Sequence, residues 1–177
     1  MSDETLAQRA QRLVRDVPDF PEPGILFKDI TPLLADGALF AQITTALAAP
    51  FMAERISHVA GIESRGFILA APVALRLEAG FIPIRKQGKL PRRTAARNYG
   101  LEYGSDRLEV HIDAATEGAR VLIVDDVLAT GGTAAAAAGL IEEVGGTVVG
   151  FSFLLWLIEL GGGQRLSDHR LETLLRA

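Results

Sequence analysis

The sequence predicts an α/β fold, a single domain over residues 1–177 with a mostly parallel, twisted sheet flanked by helices. Three observations predict it. Val121–Val124 is an unbroken run of β-prone apolar residues, the mark of a strand buried on both faces. An alanine-rich helical stretch, Thr133–Val144, follows, and then a long apolar run, Thr147–Ile158. Earlier, His58–Ile62, Phe67–Leu77 and Phe81–Ile84 repeat the order strand, helix, strand, which implies parallel strands joined by right-handed crossovers.

The elements follow in order. Over Glu4–Val17, Leu6, Ala10, Leu13, Val14 and Val17 fall at helical spacing, and Pro18 ends the helix. Residues 18–35 are expected to form an irregular hood. Pro18, Pro21, Pro23 and Pro32 forbid a regular helix, yet Phe20, Ile25, Leu26 and Phe27 are large and apolar. A stiff, apolar loop is suited to covering a flat ligand; a loop packed on the core is the plainer alternative. A helix from Asp36 or Gly37 to about Ala53 puts Leu39, Phe40, Ile43 and Leu47 on one face. Glu63–Gly66 breaks the chain between strand and helix.

Residues 85–105 have weak periodicity, and six basic residues precede the first acid, Glu102. They are expected to form a flexible lid loop, since loops of this length in compact domains are usually lids or binding loops. Leu108–Ile112 alternates like a half-exposed or edge strand. Arg120–Asp125 is the central strand, and Gly145-Gly146 ends the helix after it. Gly161–Gly163 is expected to be a turn or flexible connection, with a short helical or strand-like piece in Gln164–Ala177.

Composition narrows the function. A hydrophobic fraction of 49% and a charged fraction of 23% are globular values. The net charge of −4 argues against a nucleic-acid partner. There is no cysteine, so disulfides and cysteine-ligated metal are excluded. No apolar run approaches the roughly 20 residues of a membrane helix, and Met1–Arg15 has no signal-peptide core. A cytoplasmic protein is expected. His58, His111 and His169 match no metal-ligand spacing, and neither a Walker loop nor a dinucleotide fingerprint occurs.

The chemistry starts at Asp125 and Asp126, at the carboxyl end of the central strand, where open α/β sheets collect ligands. Ala129, Thr130, Gly131, Gly132 and Thr133 follow. Their backbone N–H groups and hydroxyls can wrap an anion at a helix N-terminus, and the glycines allow close approach. Acids that hold hydroxyls beside a phosphate cradle suit a sugar phosphate. Both acids reach one sugar only if the chain leaves the sheet at Asp126, because neighbouring strand side chains point oppositely. A buried strand followed by a capped helix is the alternative.

Val121–Thr133 resembles the phosphoribosyl pyrophosphate (PRPP) signature of the type I phosphoribosyltransferases. On that resemblance, Asp125 and Asp126 accept from the ribose hydroxyls and Ala129–Thr133 holds the 5′-phosphate. Ser64 and Arg65, at another strand end, and Lys86 and Lys89, on the basic stretch, are the candidates for pyrophosphate. Mg2+ is expected on pyrophosphate and ribose oxygens, reaching the protein through water, because this ion keeps waters and favours phosphate ligands. For the base, a 6-oxopurine calls for a cationic donor where the last strand ends. Val148–Leu160 contains no lysine or arginine, which favours adenine.

The match widens with Asp19–Pro32, Gly61–Phe67, Arg85–Pro91 and Leu101–Gly104, which resemble the adenine phosphoribosyltransferases in the same order. That resemblance implies adenine held by Leu26, Phe27 and Lys28, with Leu160 over its other face. It implies Glu102 and Tyr103 on a closing lid, Glu102 handling an adenine ring proton, and a homodimer. Gly161–Leu166 departs from the family by being shorter and less basic. Two alternatives stay open from the sequence: a phosphoribosyltransferase for another base, and a non-catalytic sensor of PRPP or purine.

Overall fold

The alternation of buried side chains along Val121–Val124 decides the architecture, since each face of this strand needs its own cover. The computed structural model describes residues 4–100 and 105–177. In it β3 (His58–Ile62), β4 (Gly80–Lys86), β7 (Arg120–Leu128), β8 (Thr147–Trp156) and β9 (Leu171–Arg176) run parallel. β5 (Thr94–Gly100) and β6 (Ser105–His111) join antiparallel, giving seven strands in the order β5-β6-β4-β3-β7-β8-β9. Val121 and Ile123 pack on one side with Phe151, Phe153 and the alanines of α5 (Gly132–Glu143). Leu122 and Val124 pack on the other with Leu69 and Val73 of α4 (Arg65–Arg76) and with α3 (Gly37–Ala48).

Local chemistry sets the helix ends. The Asp36 side chain accepts from the Leu39 N–H at 3.0 Å, capping α3 and fixing the phase that buries Leu39, Ile43 and Leu47. Buried Ala134, Ala136, Ala137 and Ala138 let α5 lie close on the sheet. Gly145, at φ 91, takes the left-handed turn that stops it, and the Gly146 N–H returns to Ile141 O at 2.9 Å.

Several expectations are corrected. The first helix, α1 (Leu6–Leu13), is shorter than Glu4–Val17. Val17 precedes a proline and is pushed to extended backbone. Arg15–Pro18 is instead strand β1, antiparallel to β2 (Leu26–Asp29) in the hood, and Val17 stays exposed. The hood also contains a short helix, α2 (Thr31–Ala35), with Pro32 in its first turn, where a missing N–H costs nothing.

Residues 85–105, expected to be irregular, contain β5, paired residue by residue with β6 from Thr94↔His111 to Gly100↔Ser105. β6 is therefore covered on both sides, and β5 is the edge. The central strand does not leave the sheet at Asp126 but stays paired with β8 through Leu128↔Trp156. The Gly161–Gly163 stretch begins a packed helical turn, α6 (Gly162–Arg165), and β9 extends the sheet.

Candidate active site

Two cavities open along the carboxyl edge of the parallel strands and share Arg65, Val127, Ala129 and Thr133. The first, of about 560 Å³, is polar. Its walls are Glu63, Ser64 and Arg65 after β3, Lys86 at the end of β4 and Lys89 after it, Tyr99 on β5, and Asp125, Asp126, Ala129 and Thr133 on and after β7. The second, of about 660 Å³, is largely apolar. It lies between Leu26, Phe27 and Lys28 of the hood and Leu157, Glu159 and Leu160 after β8, with Thr130 at its edge.

Both acids reach the first cavity because side-chain alternation slips by one residue across them. Ile123 faces the α5 side and Val124 the α4 side; three and four residues on, Val127 faces the α4 side and Leu128 the α5 side. The Asp126 N–H donates to Asp125 Oδ1 at 2.9 Å, which fixes one carboxylate against the other's backbone. Asp125 Oδ1 also sits so near Gly66 that a Cβ there would lie 2.5 Å away. Gly66 is thus what lets the carboxylate tuck beside the start of α4.

Burial, then the charge of Asp126, push Asp125 well above the usual carboxylate range. Burial also raises Asp126, less strongly because Arg65 opposes it. Arg65 Nε lies 2.7 Å from Asp126 Oδ2. It lies off the N–H direction, so that buried oxygen has a charge partner but no well-directed hydrogen bond.

The cations of the polar cavity each have a carboxylate. Glu63, 7% exposed, takes Arg85 Nε at 3.2 Å, Lys89 Nζ, and the Lys86 backbone N–H at 2.9 Å. Burial raises the Glu63 carboxyl, but the hydrogen bonds from Lys89, Lys86 and Arg85 outweigh it and hold it below its ordinary value. Lys86 Nζ lies 3.0 Å from Asp106, to which the Tyr99 hydroxyl donates at 3.1 Å. Burial and the Asp106 charge push the Tyr99 phenol up to about 12, so it remains a donor at neutral pH.

In the apolar cavity the Phe27 ring meets Phe20 edge-on at 5.0 Å, and the Arg65 guanidinium lies 4.6 Å from its centroid. Arg65 therefore spans both cavities. Lys28 Nζ turns to Asp16 of β1 at 2.7 Å.

Of the residues singled out from sequence, Ser64, Arg65, Lys86, Lys89, Asp125, Asp126, Ala129 and Thr133 meet in the polar cavity, and Leu26, Phe27, Lys28, Thr130 and Leu160 in the apolar one. Gly131 and Gly132 are buried behind them at the start of α5. Glu102 and Tyr103 lie outside the described residues. Sequence reasoning missed Glu63, Tyr99 and Asp106. Glu63 adjoins the chosen Ser64 and Arg65, so an acid beside a basic turn was a usable signal. Tyr99 and Asp106 become partners only through the β5–β6 register.

Among the described residues no group of three or more His, Asp or Glu side chains is placed to hold a metal ion, so a cation here would rely on ligand oxygens. Among the same residues no helix is long and apolar enough to cross a membrane.

Known proteins resemble this chain in sequence and fold. Residues 30–169 match the family model described as a phosphoribosyl transferase domain. An adenine phosphoribosyltransferase of Myxococcus xanthus is 55% identical over 175 residues, 99% of this chain and 95% of that protein. The crystal structure of adenine phosphoribosyltransferase from Rhodothermus marinus superposes with a TM-score of 0.94 at 51% identity, covering 97% of this chain and 98% of the other. A Saccharomyces cerevisiae adenine phosphoribosyltransferase, complexed with adenine and an imino-altritol bisphosphate, has a TM-score of 0.89 at 38% identity, covering 96% of this chain and 98% of the other.

Proposed function

This chain belongs to the phosphoribosyltransferase family, among the adenine phosphoribosyltransferases, and from that premise we propose that it joins adenine to PRPP, giving AMP and pyrophosphate in purine salvage. It is a glycosyltransferase of the pentosyl class. The observation that carries the site assignment is the shared wall of the two cavities: a polyanion pocket and a flat apolar pocket meet at Arg65, Val127, Ala129 and Thr133. A ribose held there has its leaving group on one side and its acceptor on the other.

In this reading Asp125 and Asp126 accept from the 2′- and 3′-hydroxyls. Ala129–Thr133 holds the 5′-phosphate with backbone N–H groups and the Thr130 and Thr133 hydroxyls. Ser64, Arg65, Lys86 and Lys89 receive the pyrophosphate. Adenine lies between Phe27 and Leu160, with the backbone of Leu26 and Lys28 at its edge.

N9 of adenine gives its electron pair to C1 of the ribose as the bond from C1 to the pyrophosphate oxygen breaks, and that oxygen keeps the pair. Positive charge grows on the sugar and negative charge on the leaving group. Arg65 and the two lysines answer the latter, and the buried acids the former. Glu102 is assigned to the adenine ring proton on sequence resemblance alone. Residues 85–105 act as the lid, with Glu102 and Tyr103 in the sequence between β5 and β6, and closure excludes water that would hydrolyse PRPP. Mg2+ would enter as a companion of PRPP, with Asp125 and Asp126 the acids nearest to it, and would supply charge neutralisation of the pyrophosphate.

A homodimer is proposed through the outer face of α4, where Ile68 and Leu75, seven residues apart, are exposed. The cytoplasm is the proposed compartment. The test is chromatography of a reaction with adenine, PRPP and magnesium. Equal amounts of AMP and pyrophosphate are expected, with loss of turnover on chelation. PRPP binding without any AMP contradicts the assignment and favours a sensor.

A further inference from the structure

The Gly161–Gly163 stretch has no part in the chemistry above, yet two of its glycines are packed without a gap. A Cβ on Gly162 would lie 2.2 Å from Ala129 O and 2.9 Å from Gly131 N, below the 3.0 Å that real Cβ atoms keep. The contact is mutual, because a Cβ on Gly131 would lie 2.8 Å from Gly162 O. Bare backbone thus meets bare backbone directly behind the loop Ala129–Thr133. Gly162 is buried, and Gly131 holds a φ of 77 at the N-cap of α5.

The same stretch is tied to the apolar cavity. Leu160 immediately precedes it, the Gly161 N–H returns to Ile158 O at 3.1 Å, and the Leu157 N–H donates to Leu128 O at 2.9 Å. The wall after β8 and the loop after β7 therefore share one support, and a shift in either is passed on by contact.

We infer that Gly162 is a positioning residue for the loop Ala129–Thr133, touching no ligand but setting the backbone that receives the 5′-phosphate and linking it to the base wall. This rests on the assignment of that loop to the 5′-phosphate. Backbone N–H donors act only at hydrogen-bond distance, so any side chain at 162 moves them and weakens phosphate binding.

The neighbouring glycines are internal controls. A Cβ on Gly161, at φ 71, would meet nothing within 4 Å, so Asn, which tolerates that backbone, fits there. A Cβ on Gly163 would lie 2.3 Å from the Trp156 ring, away from the loop.

The test is calorimetric binding of ribose 5-phosphate, with steady-state kinetics, for wild type, Gly162→Ala, Gly163→Ala and Gly161→Asn. Gly162→Ala is expected to lose on the order of tenfold to a hundredfold in ribose 5-phosphate affinity, as a ~1 Å misplacement of binding groups does. Its KM for PRPP rises more than its kcat falls. Gly163→Ala lowers Tm but keeps ribose 5-phosphate affinity within about threefold, and Gly161→Asn changes neither. Equal binding by Gly162→Ala and wild type overturns the inference, as does an equal loss in Gly163→Ala. If wild type itself binds no ribose 5-phosphate, the site assignment fails and takes the inference with it. Should Gly162→Ala not fold, amide exchange on wild type decides. Ribose 5-phosphate is expected to slow exchange in residues 161–166 as well as 129–133, and protection confined to 129–133 overturns the inference.

Discussion

Asp125→Asn separates the ligand-binding role of the acid pair from its cost to the fold. The Asp125 carboxyl is pushed up by burial and by the charge of Asp126, so the ionised form is disfavoured in the folded protein. Asn has the same shape, and its carbonyl can keep the 2.9 Å hydrogen bond from the Asp126 N–H. The space beside Gly66 admits nothing larger. Removing the charge is expected to stabilise the fold at pH 7 by about 0.5–2 kcal/mol, the usual gain from relieving a destabilised functional group. For a chain of this size that raises Tm by roughly 2–6 °C.

An acid whose folded pKa stands above its unfolded value holds its proton more tightly when folded. Its contribution to stability therefore falls as pH rises through the folded value. The gain in Asp125→Asn is thus largest at neutral pH and shrinks as pH falls toward the ordinary value of 3.8. Turnover moves the other way. A hydroxyl bonded to a neutral amide instead of a carboxylate loses about 1–1.5 kcal/mol, roughly tenfold in kcat/KM for PRPP. The assays are thermal unfolding from pH 4 to 8 and PRPP-saturation kinetics. A variant less stable than wild type at pH 7, or one with unchanged kcat/KM, refutes the reasoning.

Asp126→Asn is expected to cost more than Asp125→Asn, because it also removes the partner 2.7 Å from Arg65; steady-state kinetics at saturating adenine should show at least a tenfold fall in kcat/KM for PRPP. Phe27→Ala should raise the KM for adenine by about 10- to 100-fold through lost stacking, while the KM for PRPP changes only a few-fold through the lost contact of Arg65 with the ring. Glu63→Gln weakens the bonds that hold Arg85, Lys89 and the Lys86 N–H, at about 1–2 kcal/mol of stability at pH 7 once the partial exposure of both cations is allowed for. The Glu63 pKa is depressed, so its stabilisation is present above the ordinary value of 4.5 and is lost as pH falls through the folded value; denaturant titrations of wild type and variant should converge in acid.

Strands β7 and β8 were readable because strands buried on both faces show as unbroken apolar runs, as in Val121–Val124 and Phe153–Trp156. Strand β5 was not. The positions on its α5 side, Ala95, Arg97 and Tyr99, are small, cationic and hydroxylated, so no hydrophobic alternation marks it, and the basic residues around it suggest a loop. The Arg97 guanidinium seats on Gly139 of α5, a contact no local pattern announces. Strand β1 was hidden because Leu13, Val14 and Val17 continue a helical period that only Pro18 and pairing with β2 override. The polar cavity was legible from its glycines, acids and basic residues. The Tyr99–Asp106 pair was not legible because it meets Lys86 only through the β5–β6 register, whereas Glu63, beside the chosen Ser64 and Arg65, was legible and was passed over. The glycine triplet reads as slack in sequence, yet Gly162 is packed in the fold because its contacts, Ala129 and Gly131, are with chain some thirty residues away.

The most direct measurement is the ratio of kcat/KM for adenine to that for hypoxanthine with PRPP and magnesium. In the pocket of Leu26, Phe27, Leu157 and Leu160, Lys28 turns to Asp16 and Arg65, the other cation lining it among the described residues, is paired with Asp126, so neither is committed to a 6-oxo group. The account predicts AMP as the product and a preference for adenine of about a hundredfold or more. Comparable rates with both bases, or a preference for hypoxanthine, contradict it.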